Sequence, residues 1–178
     1  MTKKQFKFYN IMYFLVTIGF FASIISSILL LLSPYIFFNN SNWFNKITIS
    51  AFTFEVSNLQ HSKLLFISLI IQSVVISLLL WNLRTFFKNL AADQIFVEAN
   101  AKAIISSGFI LGFMSFFMNV TPMLLAKKLI PYIYFSKGDI SVLYHFNIEL
   151  FVASIAVIVL GIVFKKAIHF VKENEFII

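Results

Sequence analysis

Three histidines and seven acidic residues are the strongest metal-ligand candidates of this 178-residue chain, and it has no cysteine. Disulfides, thiolate metal sites and cysteine nucleophiles are therefore excluded. His145 and Glu149 are four residues apart, which on a helix puts both on one face and would supply half of a metal site. A zinc site takes three or four protein ligands, and His61 and His169 stand far away in sequence. The pair reads as an interfacial hydrogen-bonded pair, with Lys127 or Lys128 available to clamp Glu149. There is no His-Glu-x-x-His, no Gly-x-Ser-x-Gly and no glycine-rich phosphate loop, and no serine has a companion base in its own segment. These residues describe a non-enzyme, with no metal and no cofactor.

The elements that must position these groups are hydrophobic. The chain is 60% hydrophobic and 12% charged, against roughly a quarter charged in a soluble domain. No Asp, Glu, Lys or Arg occurs from Phe8 to Asn45, Leu64 to Leu83, Ala103 to Ala126 or Leu150 to Phe164. A membrane helix needs about 20 mostly apolar residues. Four spans follow, at about 11–32, 64–83, 103–125 and 142–164, the last starting near Val142 to reach full length. The expected fold is an all-α, four-helix transmembrane bundle forming one integral-membrane domain in a lipid bilayer. The basic start at Lys3, Lys4 and Lys7 leads into an apolar run too long for a signal core, so the first span is retained.

Small and polar residues punctuate the spans. Gly19, Ser23 and Ser27 share one face of the first, while Ser73 and Ser77 share a face of the second. Gly108 and Gly112 make a G-x-x-x-G spacing in the third, suited to close packing within the bundle or to a homo-oligomer. Asn119, Thr121 and Pro122 mark the end of the third span, read as a plain helix terminus rather than a kink. Between the first two spans, Lys46 to Val56 alternates as a half-buried strand would, and Tyr132 to Phe135 is similarly β-prone. Paired, the two would form a small extracytoplasmic β cap. Nine Lys and Arg flank the spans at the termini and middle loop, against five on the other face. The positive-inside rule then puts both termini and the middle loop in the cytoplasm. Lipid headgroups account for these inner cations, and the short segments that carry them are too small to bind nucleic acid directly.

The most specific pattern lies in the polar stretch Arg84–Lys102 and in the tail. The run Phe86–Ile104, with Phe96 and Asn100, and the run Val163–Ile178, with Val163, Phe164, Lys165, Glu173, Asn174, Glu175 and Ile178, resemble one family. It is the bacterial four-span membrane group called domain of unknown function 2975. The chain departs from that pattern at Val97, where a Ser or Thr would cap the next helix, at Ala167 for Gly, and at Ile177 for Thr. The resemblance implies a bacterial inner membrane and a small helix-turn-helix transcription regulator as partner. The residues give two readings of their own. In the first, a regulatory or sensor-like protein engages a cytoplasmic partner through Phe96, Asn100, Glu173, Asn174, Glu175, Phe176 and Ile178, apolar anchors among acids. Against it stands a tail that merely folds back on the turn and closes the bundle. In the second, a transport or immunity-type protein lines an intramembrane path with Gln72, Asn119 and Glu149.

Overall fold

The computed structural model describes residues 3–37, 46–49, 52–55, 63–129 and 143–175. Its elements are α1 (Lys3–Phe37), β1 (Lys46–Ile49), β2 (Phe52–Glu55), α2 (Lys63–Ala91), α3 (Glu98–Phe117), α4 (Val120–Leu129) and α5 (Ile148–Glu175). Four stretches are long and apolar enough to cross a membrane: Lys4–Leu32, Ile67–Ala91, Glu98–Lys127 and Ile148–Glu173. Large apolar side chains such as Phe14, Ile18, Phe21, Leu64, Phe109 and Leu160 stand exposed along them. Such a surface would be insoluble in water and is what lipid covers. This is a multi-pass membrane protein, and the expected all-α bundle is what forms.

The bundle is open. Among the described residues α1 packs on α2, α2 on α3, and α3 on α5, with no comparable packing of α1 on α5. The α1–α2 seam is held by small polar residues, because Ser27 Oγ lies 2.6 Å from Ser73 Oγ and Ser77 Oγ donates to Ser23 Oγ at 2.9 Å. The two serine faces legible in the sequence thus meet each other. Each such bond contributes about 0.6 kcal/mol in a membrane. The α3–α5 seam is closer still. A Cβ at Gly108 would sit 2.5 Å from Ile158 Cγ1 and 2.9 Å from the Ile158 amide nitrogen. One at Gly161 would meet Ile105 Cγ1 at 2.6 Å. Gly112 faces Ser154. Of the two uses open to Gly108 and Gly112, the one seen within this chain is close packing in the bundle, with both glycines facing α5.

Several boundaries differ from expectation, each for a local reason. Helix α1 continues past Pro34 to Phe37. Helix α2 runs on to Ala91 and α3 starts at Glu98, so the polar stretch is mostly helical and only residues 92–97 turn. Helix α5 starts at Ile148, not near Val142, because Asn147 caps it: Asn147 Oδ1 accepts the Leu150 N–H at 2.9 Å and its carbonyl accepts that of Phe151 at 3.1 Å. His145 therefore precedes the helix and does not share a face with Glu149. The third span is kinked, not ended, at Met118–Asn119, and resumes as α4 with Pro122 in its first turn, where a missing N–H is tolerated. The stretch expected as one strand folds on itself, with β1 antiparallel to β2 and Lys46 opposite Glu55. Its expected partner at 132–135 lies outside the described residues.

Candidate functional site: the α2–α3 turn and the end of α5

Helix α2 ends without a glycine. Gln94 N–H donates to Asn89 O at 2.9 Å and Asp93 N–H to Leu90 O at 3.1 Å, the paired bonds of a Schellman ending. Asp93 fills the left-handed position, at φ 59°. Asp is among the few residues that visit this conformation, at a cost glycine avoids.

The turn is then tied by Asn100, which is fully buried. Its Nδ2 donates to Gln94 O at 2.9 Å and to Ile95 O at 2.8 Å, and its Oδ1 accepts from Asn89 Nδ2 at 2.8 Å. One amide thus closes the turn onto both helices. Val97 occupies the N-cap of α3 with no side-chain bond, and the Asn100 N–H reaches Val97 O at 3.0 Å instead. Because Asn100 is enclosed, it can serve a partner only by fixing the turn's shape.

Phe96 is what the turn presents. It is 47% exposed and stacks on Phe164 of α5, with ring centroids 5.9 Å apart and planes at 22°. One step further, Lys172 Nζ lies 3.5 Å from Glu98 Oε1, with both side chains about half exposed, so the pair adds little stability. Ile168, between these contacts, is buried. The end of α5 therefore packs beside the turn as a continuous helix to Glu175, and of the tail His169–Ile178 the contact with Glu98 comes from Lys172; the last three residues lie outside the described residues. Glu173 lies nine residues beyond Phe164, half a turn away at 100° per residue, and is exposed on the outer face with Phe170. Phe96 and Glu173 thus belong to different faces. The side chains of Asn174 and Glu175, and all of Phe176 and Ile178, lie outside the described residues.

The polar residues of the alternative path cluster at the other end, around the kink. Pro122 has no N–H for Met118 O. Gln72 Nε2 takes its place, donating to Phe117 O at 2.9 Å and Met118 O at 3.3 Å. Tyr144 Oη donates to Phe116 O, and Asn119 Nδ2 to His145 O at 2.6 Å. Thr121 Oγ1 donates to Ser68 Oγ at 2.9 Å. Gln72 and Asn119 are therefore committed to backbone carbonyls. Glu149 is exposed and has no hydrogen bond or ion pair with a described residue, Lys127 included.

The sequence left Asn89, Tyr144 and the capping role of Asn147 unnoticed. The signal for Asn147 was available, as an Asn directly before an apolar run. Asn89 and Tyr144 act across chain distance and give no local sign. Set against protein families, curated proteins and solved structures, the chain matches none of them.

Proposed function

We propose that this is a non-enzymatic, regulatory or sensor-like membrane protein that offers the α2–α3 turn to a protein partner. The observation that carries this reading is Phe96: a half-exposed aromatic ring on a turn whose shape is fixed by a buried amide. An anchor held rigid before binding loses little freedom on binding, which favours docking. Asp93, Gln94 and Glu98 surround it with exposed polar groups, as the rim of an interface requires. The excess of Lys and Arg at this end and at both termini supports a cytoplasmic position for the turn. The resemblance to the domain of unknown function 2975 group adds a bacterial inner membrane and a small helix-turn-helix regulator as the partner class. Phe170 and Glu173, on the outer face of α5, form a second and separate surface.

The test is capture in mild detergent from the native host, with parent, Phe96→Asp and Phe170→Ser compared at equal membrane yield. A helix-turn-helix protein recovered with the parent and Phe170→Ser, and lost with Phe96→Asp, supports the reading. Equal recovery with Phe96→Asp, or none with the parent, overturns it.

A further inference from the structure

Arg84 projects from α2 toward α1 into a cage of aromatic rings. Its guanidinium carbon lies 5.7 Å from the Tyr13 ring centre, 5.7 Å from that of Trp81 and 6.0 Å from that of Phe20. Its Nη2 donates to Tyr13 Oη at 3.4 Å, while its Nε is shut from solvent with no acceptor. Among the described residues no carboxylate pairs with it. A guanidinium carries five N–H donors in a planar fork suited to phosphate, so this one has donors to give and a rigid seat from which to give them.

Two apolar grooves run from this end of the bundle along the same ridge. One, about 360 Å³, lies between α1 and α2, walled by Phe20, Ile24, Ile28, Val74, Leu78 and Trp81. The other, about 580 Å³, lies between α2 and α3, where Lys102 lines its end and Ile105, Phe109 and Phe113 its length. Leu78 borders both, so they are neighbouring channels on one side of the open bundle. From Lys102 to Phe113 the helix rises roughly 16 Å at 1.5 Å per residue. That is about half the ~30 Å hydrocarbon core, the depth of one leaflet.

We propose that this face is a binding site for one anionic diacyl phospholipid of the leaflet at the turn end. One acyl chain lies in each groove, astride Leu78. The phosphate sits on Arg84, with Lys102 supplying a second positive charge at the mouth of the wider groove. A protein partner would find here only a lipid-level apolar surface, whereas a phospholipid matches the charge, the depth and the paired channels together. This site is independent of the docking role of Phe96.

Trp81 borders the narrower groove, and the chain's one other tryptophan is Trp43. A Trp43→Phe protein therefore reports on this site alone. It is reconstituted in phosphatidylcholine vesicles containing a tenth of dibrominated phosphatidylglycerol or a tenth of dibrominated phosphatidylcholine, and Trp81 quenching is compared. Each basic residue near the surface favours an anionic lipid about fivefold. Quenching by the brominated phosphatidylglycerol is expected to match a local enrichment of that order. Arg84→Gln is expected to bring the two lipids to equality, Lys102→Gln to reduce the difference, and Arg84→Lys to keep part of it. Equal quenching by both lipids in the parent overturns the site, as does a preference that survives Arg84→Gln. Should Arg84→Gln fail to fold, Lys102→Gln decides: an unchanged preference overturns the two-cation site.

Discussion

Asn100→Ala is the substitution that tests most directly whether the turn is built as described. It removes three side-chain hydrogen bonds: one accepted from Asn89 and two donated to the carbonyls of Gln94 and Ile95. A net hydrogen bond contributes about 1 kcal/mol, and a buried group left without a partner costs about 1–3 kcal/mol. Gln94 is exposed, so water can rescue part of that region, while the enclosed position of Asn100 itself admits none. The expected loss is about 3 kcal/mol. Reversible unfolding of the detergent-solubilised protein by sodium dodecyl sulfate, followed by circular dichroism, gives the free energy. Asn89→Ala alone should cost about 1 kcal/mol. The double variant should cost less than the two losses added, by about the energy of the shared bond. Asn100→Asp keeps an acceptor for Asn89 but sets a buried carboxylate against two carbonyl oxygens, so it should be at least as damaging as alanine. A loss below about 1 kcal/mol for Asn100→Ala, strictly additive singles, or a mild Asn100→Asp would refute the reasoning.

Asp93→Gly should stabilise the protein by up to about 1 kcal/mol, since glycine takes the left-handed position without strain, whereas Asp93→Val should destabilise it; the same unfolding assay reads both. Gly108→Ala should loosen α3 from α5 by about 1–3 kcal/mol, because its new methyl meets Ile158 backbone as well as side chain. Gly19→Ala, whose methyl would meet only Leu80 at 3.9 Å, should be nearly neutral. Gln72→Leu should cost about 1 kcal/mol, and only part of that in a Pro122→Ala background, where residue 122 can itself donate to Met118 O while Phe117 O still loses its donor. Finally, since the chain has no cysteine, single cysteines at Gln94 and at Leu143 should react from opposite sides of the membrane with an impermeant maleimide.

Composition alone carried the spans, because a bilayer demands apolar length and little else. The small-residue stripes marked the faces that two of the helix seams use, since close approach in lipid requires them, but not which helices would meet. Helix ends were less legible. The apolar run stops at the hydrocarbon edge, while the helix continues as long as its backbone is satisfied, so α2 passes Leu83 and α5 passes Phe164. The kink was taken for a terminus because Pro122 at a helix's first turn looks the same whether a helix is starting or another is ending. What decides it is Gln72, fifty residues earlier in the chain, and no local pattern announces such a donor. At the candidate site, Phe96 was visible as an apolar residue among acids, but the burial of Asn100 and the face on which Glu173 lies required the fold.

The distribution of committed and uncommitted polar groups bears on the choice between docking and transport. A path across the membrane needs groups that can exchange partners with whatever passes. Gln72 holds two carbonyls beside a proline, and Asn119 holds His145 O. Releasing either would leave backbone groups unpaired in a medium with no water to replace the bond. Those residues are better suited to keeping a kink closed than to opening one. Of the three residues of that path, Glu149 is the one without a partner among the described residues, and one carboxylate does not make a relay. At the opposite end the balance reverses. The turn's backbone is already satisfied by Asn89 and Asn100, which leaves the exposed edge of Phe96 and the side chains of Asp93 and Gln94 to meet something else, while Glu98 holds a half-exposed ion pair with Lys172. Rigid backbone with free side chains is the condition for recognition, and in this chain the turn between α2 and α3 meets it.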